Sequence, residues 1–251
     1  MLARPKAIPG SQGQEAVSQV AWDESDPLQG TLSRVFASPD ALRDRAAMWS
    51  CFLNEANCRK VAEIGVWEGA FARQMLADCN GIETYYLIDP WRNLDHWNKP
   101  WNVSDGEFEQ TFAKAQANVA QFGSRARIFR GTTSEVAGSI PDGSLDFVYI
   151  DGDHTLRGIT IDLLRIYPKL KTGGFIGGDD FCRSIWQHSQ EFEPTLVCPF
   201  AVYFAEAVDA EIAILPHNQF VMGRPADGGF RVIETSGRRG SYDLLRHLHP
   251  K

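Results

Sequence analysis

The chain reads as an α/β fold in which a mostly parallel sheet ends in an antiparallel hairpin and carries helices on both faces. Three observations predict this. Short, nearly continuous apolar runs alternate with stretches of helical periodicity. Each run stops abruptly on glycines or acids, as strands do at a shared carboxyl edge. The last two runs are separated only by Pro216-His217-Asn218, a turn that suits a hairpin.

Taken in order, residues 1–37 begin with Pro, Gly, Gln and Ser without periodicity. They read as an arm, a lid over the domain or a reach to a partner subunit in a homo-oligomer. Ser38-Pro39-Asp40 opens a helix with Leu42, Ala46, Trp49 and Leu53 on one face. The expected parallel strands are Val61–Gly65, Thr84–Ile88, Ala126–Arg130, Leu145–Ile150 and Gly174–Gly177. Between them, Glu107–Phe122 repeats Phe108, Phe112, Ala115, Val119 and Phe122 at helical steps, and Leu156–Leu170 does the same with Ile159, Leu163 and Ile166. A helix near Phe200–Val208 precedes the hairpin "AEIAILPHNQFVMGR". The expected organisation is thus an arm over 1–37, one domain over 38–224 and a polar tail over 225–251.

With 43% hydrophobic residues in 251, the chain can bury one large core. Its 32 acids against 25 bases and the absence of a basic stripe argue against nucleic acid as a partner. No apolar run is long enough for a membrane span or a signal core, so a cytoplasmic protein is expected. The five cysteines are scattered, with no C-x-x-C pair, and read as reduced thiols.

"VAEIGVWEGAFARQM" runs from a strand through Gly65 and Gly69 into a helix, whose N-terminal N–H groups face whatever the turn holds. The spacing is E-x-G-x-x-x-G, unlike the usual dinucleotide fingerprint. Glu63 would repel a pyrophosphate and attract an ammonium, which disfavours a nicotinamide cofactor. Asp89 ends the next strand, roughly 20 residues on, where an acid can accept ribose hydroxyls. The third strand ends at Gly131, Thr132, Thr133 and Ser134.

Across roughly residues 40–224 this ordered set resembles the class I S-adenosylmethionine-dependent methyltransferases. The resemblance implies a Rossmann-like, seven-stranded sheet. It also implies that Glu63, Gly65 and Gly69 hold the methionine end of S-adenosylmethionine, Asp89 the ribose, and Thr132–Ser134 the adenine side, with Asp151 at the donor as well.

Asp151 closes the fourth strand in "FVYIDGDHT", and Asp179 and Asp180 close the fifth in "GGFIGGDDF". Neighbouring parallel strands would gather these carboxylates at one edge, where they repel unless a cation joins them. Oxygen ligands suit Mg²⁺ or another hard divalent cation. His154, three residues after Asp151, has the ordinary pKa of a base near neutrality, about 6.5. "DGDH", "YPKLKTGGF" and the Asp179-Asp180 pair also resemble metal-dependent, macrocin-type sugar O-methyltransferases and mycobacterial polysaccharide O-methyltransferases. That likeness implies a sugar or oligosaccharide acceptor, His154 as base and a metal on Asp151, Asp179 and Asp180.

"DPWRNLDHWNKPW" offers Trp91, His96, Trp97 and Trp101 to an acceptor, and Gln187 and His188 lie beyond the acid pair. Two other readings stand beside this one: methylation of a catechol or small phenol, and a non-catalytic module that binds a nucleoside.

Overall fold

The computed structural model describes residues 20–182 and 184–235. The outer parts of the arm, 1–19, and of the tail, 236–251, lie outside the described residues.

Eight strands form one sheet in the order β3-β2-β1-β4-β5-β7-β6-β8. They are β1 (Lys60–Ile64), β2 (Thr84–Asp89), β3 (Ala126–Arg130), β4 (Leu145–Ile150), β5 (Leu170–Gly178), β6 (Glu211–Leu215), β7 (Gln219–Gly223) and β8 (Arg231–Glu234). β7 alone among them runs antiparallel to its neighbours. The count corrects the expected seven. The extra strand, β8, comes from the stretch read as a polar tail, where Val232 and Ile233 pair in parallel with β6. A four-residue strand with one buried apolar side chain is too short to stand out from sequence periodicity.

The helices are α1 (Pro27–Phe36), α2 (Arg45–Glu55), α3 (Ala70–Asp78), α4 (Asp105–Val119), α5 (Thr133–Val136), α6 (Leu156–Ile166) and α7 (Val197–Ala207). α1 lies inside the stretch expected as an arm. Asp26 caps it, Pro27 pre-sets its first turn, and Leu28, Leu32 and Val35 bury one stripe. The helix expected at Ser38 is divided: Pro39–Leu42 makes a short 3₁₀ turn, and Asp44 caps the start of α2. α4 opens on a capping box in which Ser104 and Glu107 satisfy each other's backbone N–H groups.

Strand residues alternate between two cores, as a sheet covered on both faces requires. Val61, Leu87, Phe147 and Tyr149 pack with α1–α4. Ala62, Ile88, Val148 and Ile150 pack with α6 and α7. At the centre of the first core sits the fully buried Trp49, whose Nε1–H donates to Gln219 Oε1 at 2.8 Å. Gly177 leaves room for it, since a Cβ there would come within 2.3 Å of the indole. Each such large apolar side chain contributes roughly 1.5–3 kcal/mol on burial, so this core fixes β4, β5 and β7 and hence the strand ends beside them.

Candidate functional site

The strand order reverses between β1 and β4, the position at which open α/β sheets bind ligands beyond their carboxyl ends. Gly65 follows β1 with φ +83°, and a Cβ on it would stand 2.0 Å from the Asp151 carbonyl oxygen. The turn therefore requires glycine on both counts. Gly69 begins α3 at φ +74°. A cavity of about 520 Å³ opens over these turns, a size that suits a small-molecule ligand.

On its donor side, Glu63 is fully buried and accepts a 2.6 Å hydrogen bond from Tyr85 Oη. Burial, aided by Asp151 and opposed by Tyr85, pushes its carboxyl up to about 8. It stands as a largely neutral acid at pH 7 rather than the carboxylate expected. Asp89 is 8% exposed and spends both oxygens on backbone N–H groups: Val66 at 2.9 Å, Trp67 at 3.0 Å and Trp91 at 2.9 Å. It ties the turn after β1 to the turn after β2, and burial raises its pKa in spite of those bonds.

Thr132 caps α5, and Thr133 Oγ1 donates to Asp162 Oδ1 at 2.6 Å; both threonines and Asp162 line the cavity. Burial pushes Asp162 up to about 7, against the Thr133 bond. Ser134 is exposed in α5 and does not line the cavity.

The acids after β4 and β5 do converge. Arg45, at the start of α2, stands between Asp151 and Asp179; its Nη1 is 3.1 Å from Asp151 Oδ2 and in contact with Asp179 Oδ2. Its guanidinium also lies over Phe71, 5.5 Å from the ring centre. Asp179 Oδ1 accepts at 2.5 Å from Gln219, the same side chain that receives Trp49 and Tyr149. Burial and the charge of Asp151 raise Asp179 to about 6, with Arg45 pulling the other way. Asp180 adopts φ +58°, uncommon for a residue with a side chain, and faces His154.

His154 Nδ1–H donates to Asp180 Oδ2 at 2.5 Å, while Nε2 is 3.5 Å from Asp151 Oδ1 and makes no hydrogen bond among the described residues. Burial lowers the affinity of the ring for a proton, but the close approach and charges of Asp151 and Asp180 outweigh it and lift His154 to about 10. The ring is thus an imidazolium at pH 7, not the neutral base its ordinary pKa suggests. Burial raises Asp180, and His154 and Gln187 more than reverse this, leaving it below its usual range. Asp151, His154 and Asp180 each offer one ligating atom, all within 4.8 Å of one another.

The loop between β2 and α4 and the segment 184–196 roof the cavity and hold each other, Asn98 N–H donating to Glu193 Oε2 at 2.9 Å. Trp97, Trp101, Gln187 and His188 line the cavity. Trp91 and His96 do not. Trp91 is fully buried, its Nε1–H bonded at 2.8 Å to the Trp67 carbonyl, and His96 is exposed with its carbonyl receiving Arg157. Sequence reading missed Arg45, Lys99, Phe71 and Asp162. Phe71 and Lys99 lie within stretches already singled out but carry no spacing signal of their own, and only the packing of α2, α3, α6 and the loop brings all four to the cavity.

Residues 62–181 match the family described as a methyltransferase domain. No curated protein matches the chain. A Staphylococcus aureus structure assigned as a caffeoyl-CoA O-methyltransferase is similar at TM-score 0.54 and 16% identity, over 80% of this chain and 91% of that one. The S-adenosylhomocysteine-bound Podospora anserina methyltransferase PaMTH1 is similar at 0.51 and 12%, over 88% and 99%. The cofactor-bound MTB protein Rv0187 is similar at 0.50 and 16%, over 83% and 93%. At these identities the likenesses establish the fold: a Rossmann-like methyltransferase fold with helices around a mostly parallel sheet. Among the described residues no helix is long and apolar enough to cross a membrane.

Proposed function

We propose that this methyltransferase domain moves the methyl group of S-adenosylmethionine onto a hydroxyl oxygen of a small acceptor, a sugar or glycoside, with His154 as the base. The observation that carries the reading is the His154–Asp180 pair beside Asp151, set in one cavity with the Gly65 turn.

Asp180 fixes the ring by accepting from Nδ1, so the neutral tautomer presents Nε2 to the acceptor hydroxyl. Asp151 now helps to keep a proton on Nε2. Engagement of Asp151 by the donor's ammonium group removes part of that hold and frees the lone pair. The hydroxyl proton passes to Nε2 as the oxygen attacks the methyl carbon and the carbon–sulfur bond breaks. Asp180 stabilises the imidazolium that results. Trp97 and Trp101 supply flat faces to the acceptor, and the aligned geometry lowers the barrier by several kcal/mol, roughly 7 in well-oriented systems.

The donor set also fits a divalent cation. Asp151 and Asp180 would supply hard oxygens, whereas Asp179 is held by Arg45 and would join them only if that contact broke; Mg²⁺ or a similar ion held there would acidify the acceptor hydroxyl. Arg45 otherwise bridges two of these acids and offsets one of their two negative charges.

A catechol or small phenol is the second reading, favoured by the aromatic lining of Trp67, Trp97, Trp101 and Phe108. A phenol loses its proton more readily and would depend less on His154.

The test is calorimetry with S-adenosylhomocysteine, followed by methyl transfer from labelled donor to sugars and catechols. One-site binding, with His154→Ala abolishing transfer but not binding, is expected. Absence of binding by folded protein rejects the reading, and full activity of His154→Ala rejects the base.

A further inference from the structure

We propose that the acceptor carries a carboxylate, and that Lys99 together with the indole N–H of Trp97 receives it; this rests on the methyltransferase reading and narrows its acceptor. Lys99 lies in the roof loop, is 6% exposed and lines the cavity beside His154, Asp180 and Gln187. Its ammonium has three N–H donors, and among the described residues it makes a single side-chain hydrogen bond, 3.2 Å to Thr195 Oγ1, and no ion pair. A buried charge in that condition is costly unless something else completes it.

Trp97, two residues earlier in the same loop, repeats the pattern. Its indole lines the same cavity, and its Nε1–H is buried with no acceptor among the described residues. Two donors from one loop, both short of acceptors, call for a group that only accepts. A carboxylate is such a group, and an ammonium bond to it is roughly twice as strong as a neutral one.

The surroundings choose a carboxylate over a phosphate monoester. Asp153, Asp180 and Glu193 act on Lys99 electrostatically, so a doubly charged group would meet more repulsion than a singly charged one. Burial lowers the Lys99 pKa, and these acids raise it back only in part. The Thr195 hydroxyl, which receives Lys99, donates in turn to Gln187 Oε1 at 2.9 Å, and Gln187 Nε2 donates to Asp180 Oδ1 at 2.5 Å. A carboxylate on Lys99 is therefore linked through two side chains to the partner of His154, which sets the acceptor's charged end a short span from its reacting hydroxyl.

The experiment uses the full chain saturated with S-adenosylhomocysteine and titrates glucose, glucuronate, glucose 6-phosphate, catechol and 3,4-dihydroxybenzoate by calorimetry, with parallel assays of transfer from labelled donor. At least one carboxylate should bind about tenfold or more tightly than its neutral counterpart, and better than the phosphate. Lys99→Met should erase that preference, Lys99→Arg should retain part of it, and both should bind S-adenosylhomocysteine like wild type. Equal affinity for charged and neutral members, a preference for the phosphate, or a carboxylate preference that survives in folded Lys99→Met overturns the proposal. So does failure of both carboxylates to bind protein that holds S-adenosylhomocysteine, which leaves the donor reading standing. Failure to bind S-adenosylhomocysteine overturns the reading beneath it.

Discussion

His154 Nδ1 stands 2.5 Å from Asp180 Oδ2, and that contact, with Asp151 on the far side of the ring, turns an ordinary imidazole into one that holds its proton to about pH 10. In chelator-treated protein without donor, the His154 ring followed by NMR should titrate far above its usual value. Asp180→Asn should bring it down. The base works only when neutral, so kcat/KM for the acceptor at saturating donor should climb about tenfold per pH unit and flatten above the ring's pKa in the donor complex, which lies below the donor-free value. A ring that titrates near 6.5 in the wild type rejects the assignment.

Arg45 is the built-in counter-ion of Asp151 and Asp179. Arg45→Ala leaves two carboxylates facing each other, and because the arginine side chain is 37% exposed the cost should be modest, about 1–2 kcal/mol. The loss should be larger at pH 8 than at pH 5, since Asp179, at about 6, is mostly protonated at the lower pH. Arg45→Met should also bind Mg²⁺ more tightly than wild type in calorimetry. Equal affinity would show that the guanidinium does not compete for the cation site.

Gly65→Ala combines a backbone at φ +83° with a Cβ 2.0 Å from the Asp151 carbonyl oxygen. Thermal unfolding should show a loss of about 3 kcal/mol or more, and S-adenosylhomocysteine binding should fail. Wild-type stability and binding would mean that the two strand ends are not held together in this way.

Glu63 is pushed up to about 8 from an ordinary 4.5, so between those values the folded chain keeps a proton that the unfolded chain has released. Stability should therefore fall as pH rises through this window, by at most about 1.4 kcal/mol per unit from this group. Glu63→Gln keeps an acceptor for Tyr85 and should flatten that slope in denaturant titrations from pH 5 to 9. An unchanged slope would place the loss elsewhere.

The alternation of apolar runs with helical stretches determined the parallel strands, because a strand covered on both faces needs apolar side chains at nearly every position, and that leaves a direct mark on sequence. It also determined the edge at which Gly65, Asp89 and the acids after β4 and β5 gather, since each strand end is local and each acid lies next to its strand. α1 and β8 escaped because a short element in a polar stretch takes its stability from packing against other elements, α2 for one and β6 for the other. The charge states escaped for the same reason. That Glu63 keeps its proton, that His154 carries one, and that Arg45 and Lys99 stand in the cavity depend on desolvation and on neighbours brought from other elements. Such long-range electrostatics is a property of the packed molecule, and no local pattern encodes it.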